Sequence, residues 1–205
     1  MVMKPRLGIL ISGRGSNLQA IIDSIVRDQL DAEIAVVISN KEQAAGLERA
    51  RNAGIDTVVL SHKDYGTREM FDAALVDGLK AYRVSLVCLA GFMRLLSSNF
   101  VAAFPGAILN VHPSLLPSFP GLDAQRQALD YGAKVSGATV HIVTATLDNG
   151  PIVLQASVPV VEGDTVESLS DRILVQEHRI YPEAIKLVLG GGWKVDGRRF
   201  GAELP

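Results

Sequence analysis

The sequence predicts an α/β fold, Rossmann-like, built on a mostly parallel twisted sheet flanked by helices. Three observations carry this. Short runs rich in Val, Ile and Leu recur through the first half of the chain: "LGILIS", "AEIAVVIS", "TVVLS", "SLVCLAGF" and "AILNVH". Apolar runs without polar alternation read as strands buried on both faces. Helical patterns over residues 17–27, 42–52 and 67–81 separate the first four runs, and strand alternating with helix implies right-handed βαβ crossovers. Composition agrees, since 48% of the 205 residues are hydrophobic and 20% charged, which supports a sizeable core and argues against wholesale disorder.

Taken in order, "LGILIS" opens the sheet and passes through "GRGSN" into the first helix, while "NAGI" and "KAYRV" mark later returns to strand. After "AILNVH" the pattern changes. "HPSLLPSFPGLD" holds three of the nine prolines and reads as an irregular surface loop, followed by a helix over residues 124–131. "SGATVHIVT" and "PIVLQASVPV" flank "ATLDNG" as an antiparallel hairpin. "DTVESLSDRILVQEHRIYPEAIKLVLGG" is one long helix, with Asp164 as its expected cap, Pro182 as an expected kink and Gly190 to Gly192 as its end. The tail, residues 193–205, is expected to add a short hairpin around "DG" or to stay loose. No internal repeat or linker is evident, so a single domain over 1–205 is expected.

The whole-chain numbers exclude several roles. A net charge of −2 gives no bulk attraction for nucleic acid or an anionic membrane, so an anionic ligand needs a local site. Cys88 is the single cysteine, ruling out an intrachain disulfide and a cysteine-built zinc centre. The apolar segment near the amino terminus is shorter than a secretory h-region, and no run approaches a membrane span. A soluble, reduced, cytoplasmic protein is expected.

Chemistry is suggested at three places. In "LGILISGRGSNLQAII" a strand meets a helix through glycines, and a helix start exposes unpaired N–H groups that suit a phosphate. Gly15 would let backbone approach the anion, with Ser16 and Asn17 as further donors. The loop lacks the third glycine of a dinucleotide fingerprint, where Leu18 stands, and the Gly-Lys-Ser/Thr ending of a nucleoside triphosphate loop. A phosphomonoester site fits; so does a plain tight turn with a helix cap.

Asn110 and His112 alternate along "AILNVH", so they share one face at the carboxyl end of a strand, the rim where α/β sheets bind ligands. A carboxamide N–H can hold a developing oxyanion, and an imidazole can move a proton near neutral pH. The pair suits attack of an amine on a carbonyl carbon; the plainer alternative is that both anchor the proline-rich loop. Asp148 in "TLDNGP" is the third candidate, within a strong turn signal. His141 reads as a core histidine, and the four dispersed histidines form no metal-ligand spacing, so no metal is expected.

"ISGRGSNLQAII", "SNK", "GLERAR", "LAGFMRLLS", "NVHPSLLPSFPG" and "LDNGP", in this order, resemble the phosphoribosylglycinamide formyltransferases of purine synthesis, from about Leu7 to about Leu189. The resemblance implies the formyltransferase fold. It implies transfer of formyl from 10-formyltetrahydrofolate, as cosubstrate, to the amino group of glycinamide ribonucleotide. It divides the domain into a phosphate-binding half over 1–110, a catalytic and folate-binding half over 111–190, and a tail. By position it implies Asn110, His112 and Asp148 as catalytic, and Gly15, Ser16, Asn17 and Glu177 for glycinamide ribonucleotide. For folate it implies Arg68, Met93, Arg94, Leu95, Leu96, Asn110, Thr144, Ala145, Thr146, Leu147 and Asp148. The implied partners are small molecules alone, with the chain a monomer or homodimer. Ile142, Ala145, Asp123 and Leu174 depart from residues common in that family. Relatives that formylate initiator methionyl-tRNA or hydrolyse formyltetrahydrofolate share the asparagine and histidine, and a non-catalytic nucleotide-binding module would share the glycine loop.

Overall fold

A computed structural model describes residues 4–202. The chain divides into two compact units at the Leu109–Asn110 bond. In the first unit, β1 (Arg6–Ile11), β2 (Glu33–Ser39), β3 (Thr57–Val59) and β4 (Leu86–Leu89) pair in parallel in the order β3-β2-β1-β4. Leu7, Ile9, Leu10 and Ile11 are fully buried, as are Val36 to Ile38. This is why these strands read as unbroken apolar runs: helices on both faces leave no wet side to record as alternation. The helices are α1 (Ser16–Val26), α2 (Ala45–Asn52), α3 (Arg68–Ala81) and the short α4 (Ser98–Ala103). Thr67 and Ser97 cap α3 and α4 through side-chain oxygens that accept from Met70 N–H and Phe100 N–H. A single 3₁₀ turn, His62–Asp64, joins β3 to α3.

The second unit takes the end of β5 (Ile108–His112), then α5 (Ala124–Tyr131), β6 (Val135–Ile142), β7 (Ile152–Pro159), α6 (Val166–Gly190), β8 (Trp193–Asp196) and β9 (Arg199–Ala202). β6 and β7 form the expected antiparallel pair, and the tail forms the short hairpin, β8 with β9, against the edge of β7. Residues 203–205 of the tail lie outside the described residues. α6 lays Leu169, Ile173, Ile180, Ala184, Ile185 and Val188 on β6 and β7, a stripe at helical spacing. Pro182 is buried within this continuous helix.

Three expectations change in detail. α6 is capped by Thr165 in a reciprocal box with Ser168, and Asp164 instead receives both terminal nitrogens of Arg172, each at 2.8 Å. The second helix begins at Ala45, because Lys41 to Ala44 close a turn first. The proline-rich segment is irregular as expected but not wholly a surface loop, since Ser114 and Leu116 are buried. Thr139 and Gln155 hold it: Leu116 N–H donates to Thr139 Oγ1 at 3.0 Å, and Gln155 Nε2 donates to Leu116 O at 2.9 Å.

Candidate active site

The glycine loop after β1 is fixed from behind by α2. Gly15 has φ +70°, and a Cβ there would stand 2.6 Å from the Cα of Gly46. The two glycines pack backbone to backbone, Gly46 N–H donates to Gly13 O at 3.0 Å, and Arg49 Nε donates to Arg14 O at 2.9 Å. Gly15 is therefore required by conformation and by packing, whatever binds in front of it. Ser16 and Asn17 open α1, whose first turn carries no acidic residue. That helix start keeps its positive partial charge uncompensated, which suits an anion.

Two other candidate segments of this unit lie elsewhere. Arg68 is exposed at the first turn of α3, its Nη2 donating to Glu69. Met93 to Leu96 follow β4 as a loop, with Met93 62% and Leu95 57% exposed. Exposed apolar side chains on a loop held at its base offer a flat ring a surface to lie on.

In the second unit, β5, β6 and the connection after β6 bring four polar side chains together. Asn110 Nδ2 lies 3.3 Å from His141 Nε2, His112 Nδ1 lies 3.4 Å from Asp148 Oδ2, and His141 Nε2 lies 3.7 Å from Asp148 Oδ1. Asn110, His112 and Asp148, separated by up to 38 positions, thus share one cluster, and His141 joins them. Asp148 adopts φ +46°, and its Oδ2 accepts from Gly121 N–H at 2.8 Å. Gly150 behind it packs so closely on Ile142 O that no side chain fits. The Asp-Asn-Gly signal is therefore both a turn and the device that aims the carboxylate.

The carbonyl partners decide which ring nitrogens carry protons, since a carbonyl can only accept. His141 Nδ1 lies 3.1 Å from Ile142 O, so Nδ1 holds the proton and Nε2 is left to accept from Asn110. Burial pushes the His141 pKa down, keeping the ring neutral, and the backbone hydrogen bond and Asp148 oppose this only in part. His112 Nε2 lies 2.9 Å from Phe119 O and donates to it, which leaves Nδ1 facing the Asp148 carboxylate. A second proton on Nδ1 makes an imidazolium with an acceptor on each side, and Asp148 can take or return that proton. Sequence reasoning placed His141 in the core, as indeed it is. The available signal was its position at the end of a strand leading into the Asp148 turn.

Thr144 to Leu147 form the connection between β6 and Asp148, with Thr144 Oγ1 donating to Thr146 O at 3.2 Å and Leu147 exposed. Glu177 is buried on α6. Among the described residues no group of His, Cys, Asp or Glu is arranged to hold a metal ion, and no helix is long and apolar enough to cross a membrane.

A family model described as formyl transferase matches residues 5–185. The chain belongs to the formyl transferase family. This formyl transferase is 48% identical over 190 residues to the phosphoribosylglycinamide formyltransferase of Escherichia coli (strain K12), covering 93% of this chain and 87% of that protein. It is 52% identical over 188 residues to the trifunctional purine biosynthetic protein adenosine-3 of Bos taurus. That match takes in 92% of this chain but only 19% of the bovine protein's length. Among solved structures, glycinamide ribonucleotide transformylase 1 from Symbiobacterium toebii superposes with a TM-score of 0.96 at 56% identity, covering 98% of this chain and 95% of that one.

Proposed function

We propose that this formyl transferase moves the formyl group of 10-formyltetrahydrofolate to the amino group of glycinamide ribonucleotide, giving formylglycinamide ribonucleotide and tetrahydrofolate. The single observation that carries the reading is the cluster of Asn110, His112, His141 and Asp148, in which both histidines are buried. It pairs an N–H donor with an imidazole backed by a carboxylate, the set an amine needs when it attacks an acyl carbon without an enzyme nucleophile.

In this reading the amine lone pair forms a new C–N bond to the formyl carbon, and the carbonyl π pair moves onto oxygen. Asn110 has one Nδ2 hydrogen given to His141, and the second meets the oxyanion. His112 donates its Nδ1 proton to that oxygen or to the departing folate nitrogen. As the oxygen re-forms the carbonyl, returning any proton it took, the C–N bond to the folate breaks with its pair on that nitrogen, which leaves carrying the proton. The proton lost by the amine, passing through Asp148, replaces the one His112 gave. The phosphate of the ribonucleotide is assigned to Gly15, Ser16 and Asn17, and its remaining recognition to Glu177. The folate is assigned to Arg68, to Met93 through Leu96 and to Thr144 through Asp148.

Incubating the protein with 10-formyltetrahydrofolate and glycinamide ribonucleotide tests the proposal. Equimolar tetrahydrofolate and formylglycinamide ribonucleotide are expected. Release of formate with the ribonucleotide left unchanged would identify a formylfolate hydrolase instead.

A further inference from the structure

Ser12, Asn40 and His62 were given no role by the sequence, yet they form one directed hydrogen-bond chain across the first unit. Ser12 follows β1 and grips the turn after β4 twice. Its N–H donates to Gly91 O at 3.2 Å, and its Oγ accepts from Met93 N–H at 2.8 Å. That hydroxyl in turn donates to Asn40 Oδ1 at 2.6 Å, and Asn40 Nδ2 stands 3.3 Å from His62 Nδ1. Ser12 and Asn40 are buried, so each partner lost leaves a polar group without water to replace it. The His62 ring meets Phe71 of α3 edge to face, with centroids 6.2 Å apart.

We infer that Ser12, Asn40 and His62 are positioning residues that set the Met93–Leu96 loop against the start of α3, and so fix the folate-recognition geometry of this unit. The inference rests on the assignment of Met93–Leu96 and Arg68 to the folate. The polarity of the chain supports it. Met93 N–H, the Ser12 hydroxyl and the Asn40 amide all point their hydrogens toward His62, so the ring Nδ1 terminates the series as an acceptor. A buried amide network with one allowed direction holds one geometry, and the exposed Met93 and Leu95 are its tip. The segment carrying Arg68 sits at the other end, with Phe71 one helical turn along.

The test separates the two Michaelis constants. Ser12→Ala and His62→Leu are expected to raise KM for 10-formyltetrahydrofolate about tenfold, with kcat and the ribonucleotide KM within about twofold of wild type. His62→Asn, whose Oδ1 replaces Nδ1 as acceptor, is expected to restore the folate KM; loss of general stability would not be repaired so selectively. A wild-type folate KM in both variants, or equal rises in both KM values, overturns the inference and leaves the formyl-transfer reading standing. Failure of the wild-type protein to transfer formyl at all overturns that reading, and the inference with it.

Discussion

The carboxamide of Asn110 has two N–H bonds, and the proposed reaction uses each for a different task. One is held by His141 at 3.3 Å, which fixes the amide plane; in the proposed reaction the other meets the oxyanion. Asn110→Ala should lower kcat by about 10²–10³, as loss of an oxyanion donor does. His112→Ala should lower it by about 10²–10⁴, the worth of a positioned acid–base group. Single-turnover rates measure both, and a wild-type rate in either variant removes that residue from the chemistry. His141 adds a pH dependence whose sign follows from burial. Its folded pKa is depressed, so as pH falls below about 6.5 the unfolded chain binds a proton that the folded chain refuses. Stability therefore falls on acidification, and the contribution is fully present only above that value. His141→Asn should flatten the slope of the urea midpoint between about pH 7 and pH 5. An unchanged slope would mean that His141 is protonated in the folded state.

At the scale of elements, the start of α1 offers a discriminating change. Gly15→Val is a poor probe of phosphate binding, because the new side chain would strike Gly46 and distort the loop itself. Ser16→Asp works in the opposite sense on fold and ligand. An acid in the first turn stabilises a helix by about 0.3–1 kcal/mol, yet repels a phosphate at the same place. The expected outcome is a melting temperature held or raised, with the ribonucleotide KM increased at least about tenfold and the folate KM unmoved. Equal effects on the two substrates would place the phosphate elsewhere. The same loop shows what a sequence can and cannot tell. The glycines and the strand-to-helix passage were legible as local chemistry. Gly46, thirty-one positions beyond Gly15, was legible only as part of "GLERAR", and its packing role needed β1 and β2 to be neighbours. α4, six residues long, was not legible at all, because less than two turns carries no periodicity. The Asp164 cap was misassigned by one residue. Asp164 and Thr165 are both good caps, and only the position of Arg172, two turns along, decides that the carboxylate is engaged elsewhere. That hydrogen bond holds the Asp164 carboxyl well below the usual carboxylate range.

For the molecule as a whole, the alternation of strand and helix, the hairpin and the long final helix were legible because each rests on periodicity over many residues. The pairing of Asn110 with His141 was not, since it depends on the position of β6 beside β5, which no local pattern records. A net charge of −2 has the same standing: it says only that an anionic substrate must be met by local groups, and binding must then register as stability. A ligand at about a hundred times its Kd adds about 2.7 kcal/mol, roughly 5–10 °C in melting temperature for a chain of this size. Glycinamide ribonucleotide should raise the melting temperature of wild type by that amount, with no folate present. The shift should persist in His112→Ala, which retains the glycine loop, and fall to about half or less in Ser16→Asp, which retains the Asn110–His112–Asp148 cluster. Differential scanning of the three proteins thus separates binding from chemistry. A shift lost in His112→Ala but kept in Ser16→Asp would reverse the assignment and put the phosphate beside the Asn110–His112–Asp148 cluster.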